Sequence, residues 1–257
     1  MGVLLAAGAD ATAVSSADGG TLLHSAAAAP DEGTVSALLS AGCDASLRNR
    51  AGQLPAEVAS AEGGGDAARA LLLAAQRAQE ALEACARGGD CAGVRAALAA
   101  GALMHHRGAQ GDTALTLAAK AGSEDTLKVL IQAGALIGAA DALGLTALHC
   151  AAGRGANAAL TLLLQSGADV SALDTASNTA LRHAAVGGHS ACVNALLNAG
   201  SPVDRATYSA AKDPTCRYML LEAVETQLDG QARCDAEKAV EAIKAAKVNE
   251  KMASSWC

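Results

Sequence analysis

Apolar residues along this chain fall into two phrases that keep step with each other. The first is a leucine followed by an alanine pair, as in Leu148, Ala151 and Ala152, with Thr146 two places before the leucine. Apolar positions at i, i+3 and i+4 share one helical face, so this phrase predicts a short helix packed on that side. The second is a leucine pair closed by a glycine, as in Leu163, Leu164 and Gly167, which predicts a second short helix with a stop signal behind it. Between the two phrases stands Gly155, a break that turns one helix into a pair.

The phrases recur at a fixed interval. Thr113, Thr146 and Thr179 stand 33 residues apart, and Gly101, Gly134, Gly167 and Gly200 repeat the same spacing. From Thr146, the breaking glycine lies 9 residues on, the leucine pair 17 and 18, and the closing glycine 21. Those offsets from Thr179 find Gly188, Leu196, Leu197 and Gly200, and from Thr113 they find Gly122, Leu130, Ile131 and Gly134. The pattern is blurred nearer the N-terminus. Thr21 leads to Pro30, Leu38, Leu39 and Gly42, while Leu54 stands in the threonine slot before Pro55, Gly63, Leu71 and Leu72. Glu80 takes that slot next, only 26 residues after Leu54, with Leu82, Cys85, Ala86 and Gly89 following. That unit has lost about a loop's worth of chain, and Ala75 occupies the place of the closing glycine.

Repeats of this length with Thr-x-Leu-His-x-Ala at their head resemble the ankyrin repeat, over most of positions 3 to 200. The resemblance implies an all-α solenoid of stacked helix pairs with hairpin loops, of about six repeats, the first a fragment that lacks its opening helix. It implies that threonine and histidine stitch backbone groups at the start of the first helix, and that His24 and His149 do so. After Gly200 the offsets fail. Ala210, Ala211, Leu220 and Leu221, with Pro214 opening a helix, suggest a degenerate C-terminal cap. The organisation expected is an N-terminal block at 1–75, a second block at 76–222 and a helical tail at 223–257, with a kink or seam where Ala75 replaces glycine. Asp235 to Lys251 reads as a mixed-charge, weakly amphipathic helix, and Gly63, Gly64 and Gly65 as a weak point.

Composition then narrows the chemistry. About a quarter of the residues are alanine, and there are no Phe, one Trp and two Tyr, which suits small, closely packed helix interfaces. A net charge of -7 disfavours nucleic acid and anionic membrane surfaces as partners. No run reaches the roughly 20 apolar residues of a membrane span. The chain has eight cysteines but no Cys-x-x-Cys pair, and Cys43 and Cys85 fall where neighbouring repeats carry alanine, so they read as small buried hydrophobes. His105 and His106, beside Arg107, lie in a loop and read as solvated rather than as a ligand pair. No nucleophile, zinc or phosphate-cradling motif is present, so no catalytic residue, metal or cofactor is assigned and an enzyme is disfavoured.

What is left is surface. The family resemblance implies that a protein partner binds the hairpin tips and the exposed side of the first helices. Slot by slot, this face carries Leu117 and Lys120, then Ala142, Leu143, Leu145, Cys150 and Arg154, then Asn178, His183 and Val186. Leu117, Leu143, Leu145 and Val186 form its apolar middle, and exposed apolar clusters mark interaction sites. The expected function is a monomeric, non-catalytic scaffold or adaptor in the cytoplasm or nucleus, with no small-molecule substrate. The alternative is a fragment of a larger protein whose repeats recruit or regulate an enzyme or channel.

Overall fold

The computed structural model describes residue 15 and residues 18–29, 32–61, 65–108 and 110–227. All regular structure among them is helical, apart from isolated bridge residues at Thr21 and at the antiparallel pair Ala140 and Thr146. The chain groups into two compact units: Met1–Ala121 with Asp125–Leu136, and Gly122–Glu124 with Ile137–Cys257. The expected first-repeat fragment, the Gly63–Gly64 weak point and the Asp235–Lys251 helix lie outside the described residues.

The first unit opens with α1 (Leu22–Ala28) and α2 (Glu32–Ser40), followed by α3 (Pro55–Ala61), α4 (Asp66–Gly88), α5 (Cys91–Ala99) and α6 (Ala114–Ala121). Helix α7 (Glu124–Gln132) lies almost wholly in the same unit. Helix α1 packs on α2 and α3, and both α2 and α3 pack on α4. Leu23, Ala27, Val35, Leu38, Ala59 and Leu72 are fully removed from water at this centre, with Cys43 and Ala45 beside them.

Helix α4 is the irregular element. It runs 23 residues without a break, roughly 35 Å, where two ordinary short helices and a hairpin would lie. Its first half buries Ala68 and Leu72, and its second half buries Ala78, Gln79, Leu82 and Ala86. The same helix thus packs on α2 and α3, and also on α5 and α6. The boundary expected between 75 and 76 falls inside it. With alanine where other repeats place glycine, nothing stops the helix, and the 26-residue spacing leaves no chain for a hairpin.

The second unit holds α8 (Ala147–Arg154), α9 (Asn157–Gln165), α10 (Ala180–Gly187), α11 (Ser190–Asn198), α12 (Arg205–Ala210) and α13 (Pro214–Gln227). First helices pack on first helices (α8 on α10, α10 on α12), and second on second (α9 on α11, α11 on α13). Leu148, Leu160, Leu163, Leu181, Leu196 and Leu220 are fully buried or nearly so. The breaking and closing glycines serve one backbone need. Gly155 has φ 75° and Gly167 φ 87°, a left-handed turn open to glycine at little cost.

Candidate functional site

Each first helix needs partners for its opening backbone amides, and the slot three residues after the threonine supplies one. His149 is 1% exposed. Its Nδ1 accepts the Thr146 amide at 3.2 Å, with the Thr146 hydroxyl 2.9 Å away, and its Nε2 donates to the Asn178 carbonyl at 3.2 Å. His24 repeats this with Thr21 and the Gln53 carbonyl. Where the slot holds another residue the device changes: Glu57 accepts the Leu54 amide at 2.7 Å, and the Thr116 hydroxyl accepts the Thr113 amide at 2.9 Å. The stitching expected of His24 and His149 is present. Burial pushes the His149 imidazole below its ordinary range and nearby His183 adds to this, against the bond to Asn178.

Hairpin loops of the second unit are built around one carboxylate each. Asp141 accepts the amides of Leu143 and Leu145, both at 2.9 Å. Asp174 accepts the Ala176 and Asn178 amides, the Asn178 side chain at 3.0 Å and the His183 ring at 2.9 Å. Burial alone would raise the Asp174 carboxyl, but these donors hold it far below the usual carboxylate range. Successive hairpins then join: the Thr175 amide and hydroxyl both donate to the Leu143 carbonyl at 3.0 Å. Gly144 permits this closeness, since a Cβ there would lie 2.9 Å from the Thr175 nitrogen.

These bonds fix the backbone while leaving apolar side chains outside. Leu143 is 61% exposed and Leu173, on the neighbouring hairpin, 58%. Of the other residues expected on this face, Ala142, Arg154 and Val186 are exposed, while Leu145, Cys150, Asn178 and His183 are half-buried. His183 and Asn178 are both committed to Asp174, and the His149 and His183 rings meet edge-to-face at 5.6 Å.

In the first unit the expectation needs correcting. Leu117 is 3% exposed and forms part of the core, not an outer patch. The equivalent slots hold Cys150 and His183, which stay half-buried; a leucine has more apolar surface to withdraw from water and is drawn in completely. Lys120 is partly exposed and pairs with Asp112 at 2.6 Å.

A second correction concerns His106. It is not solvated: its side chain is 7% exposed and lies between two carboxylates, Asp44 at Nδ1 and Glu83 at Nε2, the latter at 3.1 Å. His105 beside it is exposed. Because the carboxylates address opposite ring nitrogens they do not converge on a single ion, and among the described residues no His, Cys, Asp and Glu cluster could hold a metal. The sequence held one signal for this cluster, the 26-residue spacing that removes a hairpin and makes the loops around Asp44 and His106 neighbours. Leu173 carried no signal, as its slot varies between repeats. Among the described residues no cysteine forms a disulfide. Burial raises the thiols of Cys43 and Cys192, and burial with nearby Asp213 pushes Cys216 up to about 11.

A family model described as ankyrin repeats (3 copies) matches residues 81–174 and, in a second placement, 137–207. Together with the all-helical paired architecture, this defines the class: a repeat protein of the kind that generally mediates protein–protein contacts. The chain belongs to the ankyrin repeat family. No curated protein matches it. Among the described residues no helix is long and apolar enough to cross a membrane.

Proposed function

We propose that this chain is a non-catalytic scaffold or adaptor that binds a protein partner through the hairpin and first-helix face of its second unit. The observation that carries the reading is Leu143, 61% exposed on a backbone pinned by Asp141 on one side and Thr175 on the other. A rigid loop presenting apolar surface loses little conformational freedom on binding, so most of the burial energy is retained. Burying one leucine contributes about 1.5–3 kcal/mol, so Leu143 with Leu173 needs the polar groups around it to reach micromolar affinity. Ala142, Leu145, Cys150, Arg154, Asn178, His183 and Val186 complete the proposed surface, and α12 with α13 would serve as the degenerate cap. The alternative, repeats that recruit or regulate an enzyme or channel within a longer protein, uses the same face.

The test is affinity capture from extract with the wild-type chain and Leu143→Asp, each checked for helicity by circular dichroism. Binding lost by a fully helical variant supports this face. Binding retained by the variant refutes it.

A further inference from the structure

In the second unit the hairpin at 167–179 docks on the one before it, through the Thr175 amide bonded to the Leu143 carbonyl. In the first unit Arg50 docks likewise, its amide donating to the Asp18 carbonyl at 3.0 Å. Before the loop at 101–112, α4 runs through the place where the preceding hairpin would lie. Side chains tie this loop to α4 and to the loop around Asp44. The buried Gln79 of α4 accepts the Leu103 amide at 2.8 Å, and His106 reaches across 62 positions to Asp44. Glu83 is available for a reason that follows from the repeat. It stands in the slot where His24, Glu57, Thr116 and His149 serve the start of a helix. In α4 residue 80 is mid-helix, its amide already bonded, so the carboxylate has no capping task and turns to His106 instead.

The arrangement has a protonation requirement set by geometry. Both ring nitrogens face carboxylate oxygens, and a neutral imidazole carries only one N–H. Only the imidazolium donates to both. We propose that His106 is a proton-operated clamp that, when charged, ties the loops at 41–53 and 101–112 to α4 and, when neutral, releases the second loop. A cleft of about 300 Å³ lies beside it, lined by Leu39, Cys43, Leu71, Ala75, Gln79 and Leu103, with Asp44 and Ser46 on its wall. Release of the 101–112 loop widens this cleft and bares its apolar lining.

The electrostatics agree with the geometry. Burial alone would lower the His106 imidazole, but the bond to Asp44 and the charges of Asp44 and Glu83 raise it above its ordinary value. Burial would raise Asp44, and the bonds from His106 and from the Ser46 hydroxyl and amide outweigh it and lower the carboxyl. The titratable groups facing the ring are Asp44 from the first loop and Glu83 from α4. Cys43, next to Asp44, is buried with its thiol raised and stays neutral in this window, while His105 and Arg107 on the same loop are exposed. A histidine raised on folding stabilises the folded form below its unfolded value, and that contribution is lost as pH climbs through the folded value. Asp44 has the opposite sense, its contribution fading only as pH falls below the carboxylate range.

The experiment is hydrogen exchange of the peptide spanning 101–112 in the intact chain, corrected for intrinsic rates, from pH 6 to 8.5. It is run beside an NMR titration of the His106 ring, assigned by its loss in His106→Gln. The clamp requires wild-type protection several-fold higher at pH 6 than at pH 8.5, following a His106 midpoint above 6.5, and a flat, low profile in His106→Gln. A flat wild-type profile, protection that rises with pH, or a midpoint below 6.5 overturns it. If His106→Gln does not fold, the wild-type profile still decides, and Glu83→Gln must lower the midpoint and weaken protection at pH 6.

Discussion

Replacing His149 with leucine isolates the bonds that join neighbouring repeats. Leucine keeps most of the buried volume and adds no polar atom, so the packing of α8 on α10 changes little while the hydrogen bonds vanish. Two backbone groups lose their partner: the Thr146 amide, bonded at 3.2 Å, and the Asn178 carbonyl, also at 3.2 Å. A buried group left without a partner costs about 1–3 kcal/mol, and Asn178 is only half-buried, so the sum comes to about 2–4 kcal/mol. Arg182 supplies the control, since it fills the same slot one repeat later and its own amide, not its side chain, bonds Thr179. Arg182→Leu is expected to cost under about 0.5 kcal/mol. Urea titrations followed by circular dichroism give the difference in stability. Hydrogen exchange of peptides around 140–155 and 175–183 locates the loss, because a chain with two compact units need not unfold in one step. If His149→Leu costs no more than Arg182→Leu, the histidine is filling space and the stitching argument fails.

Three other outcomes are expected. Ala75→Pro should cost about 3 kcal/mol or more, because proline inside a continuous helix removes a bond and clashes with the preceding turn; tolerance in a urea melt would mean that α4 is broken there after all. Gly144→Ala places a Cβ against the Thr175 nitrogen at φ 74°, so it should destabilise by at least about 1–2 kcal/mol and speed exchange at the Thr175 amide; unchanged exchange would contradict the close docking of the two hairpins. The second unit should lose protection as pH falls below about 6.5, since an imidazole lowered by folding stabilises above its unfolded value and less as pH drops toward the folded one. That is the reverse of the expectation for the 101–112 loop, and exchange read separately at 146–153 and 101–112 must show opposite slopes.

The fold was legible because its determinants are local and repeated. A threonine, an alanine pair and two glycines at fixed offsets define the helix pair wherever they recur, and Gly155 and Gly167 take the left-handed conformations their positions imply. Degenerate stretches were harder to read. Glu80 stood in a threonine slot, and the shortened spacing with Ala75 in place of glycine gave warning of an irregularity. The full length of the helix was not legible, because it depends on no residue from Asp66 to Gly88 ending it. Side-chain exposure was the least legible property. Leu117 and Leu143 are both leucines on one supposed face, yet one is 3% exposed and the other 61%. A slot assignment gives direction relative to a single helix, whereas exposure depends on everything packed around it. His106 shows the same limit, since its partners Asp44 and Glu83 lie 62 and 23 positions away and no local motif joins them.

The proposal that the second unit's hairpin face receives a protein partner is tested most directly by site-specific photo-crosslinking. A photoreactive residue is placed at position 143 and, in a second protein, at the partly exposed Thr161 on helix α9. Crosslinks to a discrete partner from 143 and none from 161 are the result required. Equal crosslinking from both positions, or a partner captured only from 161, would contradict it.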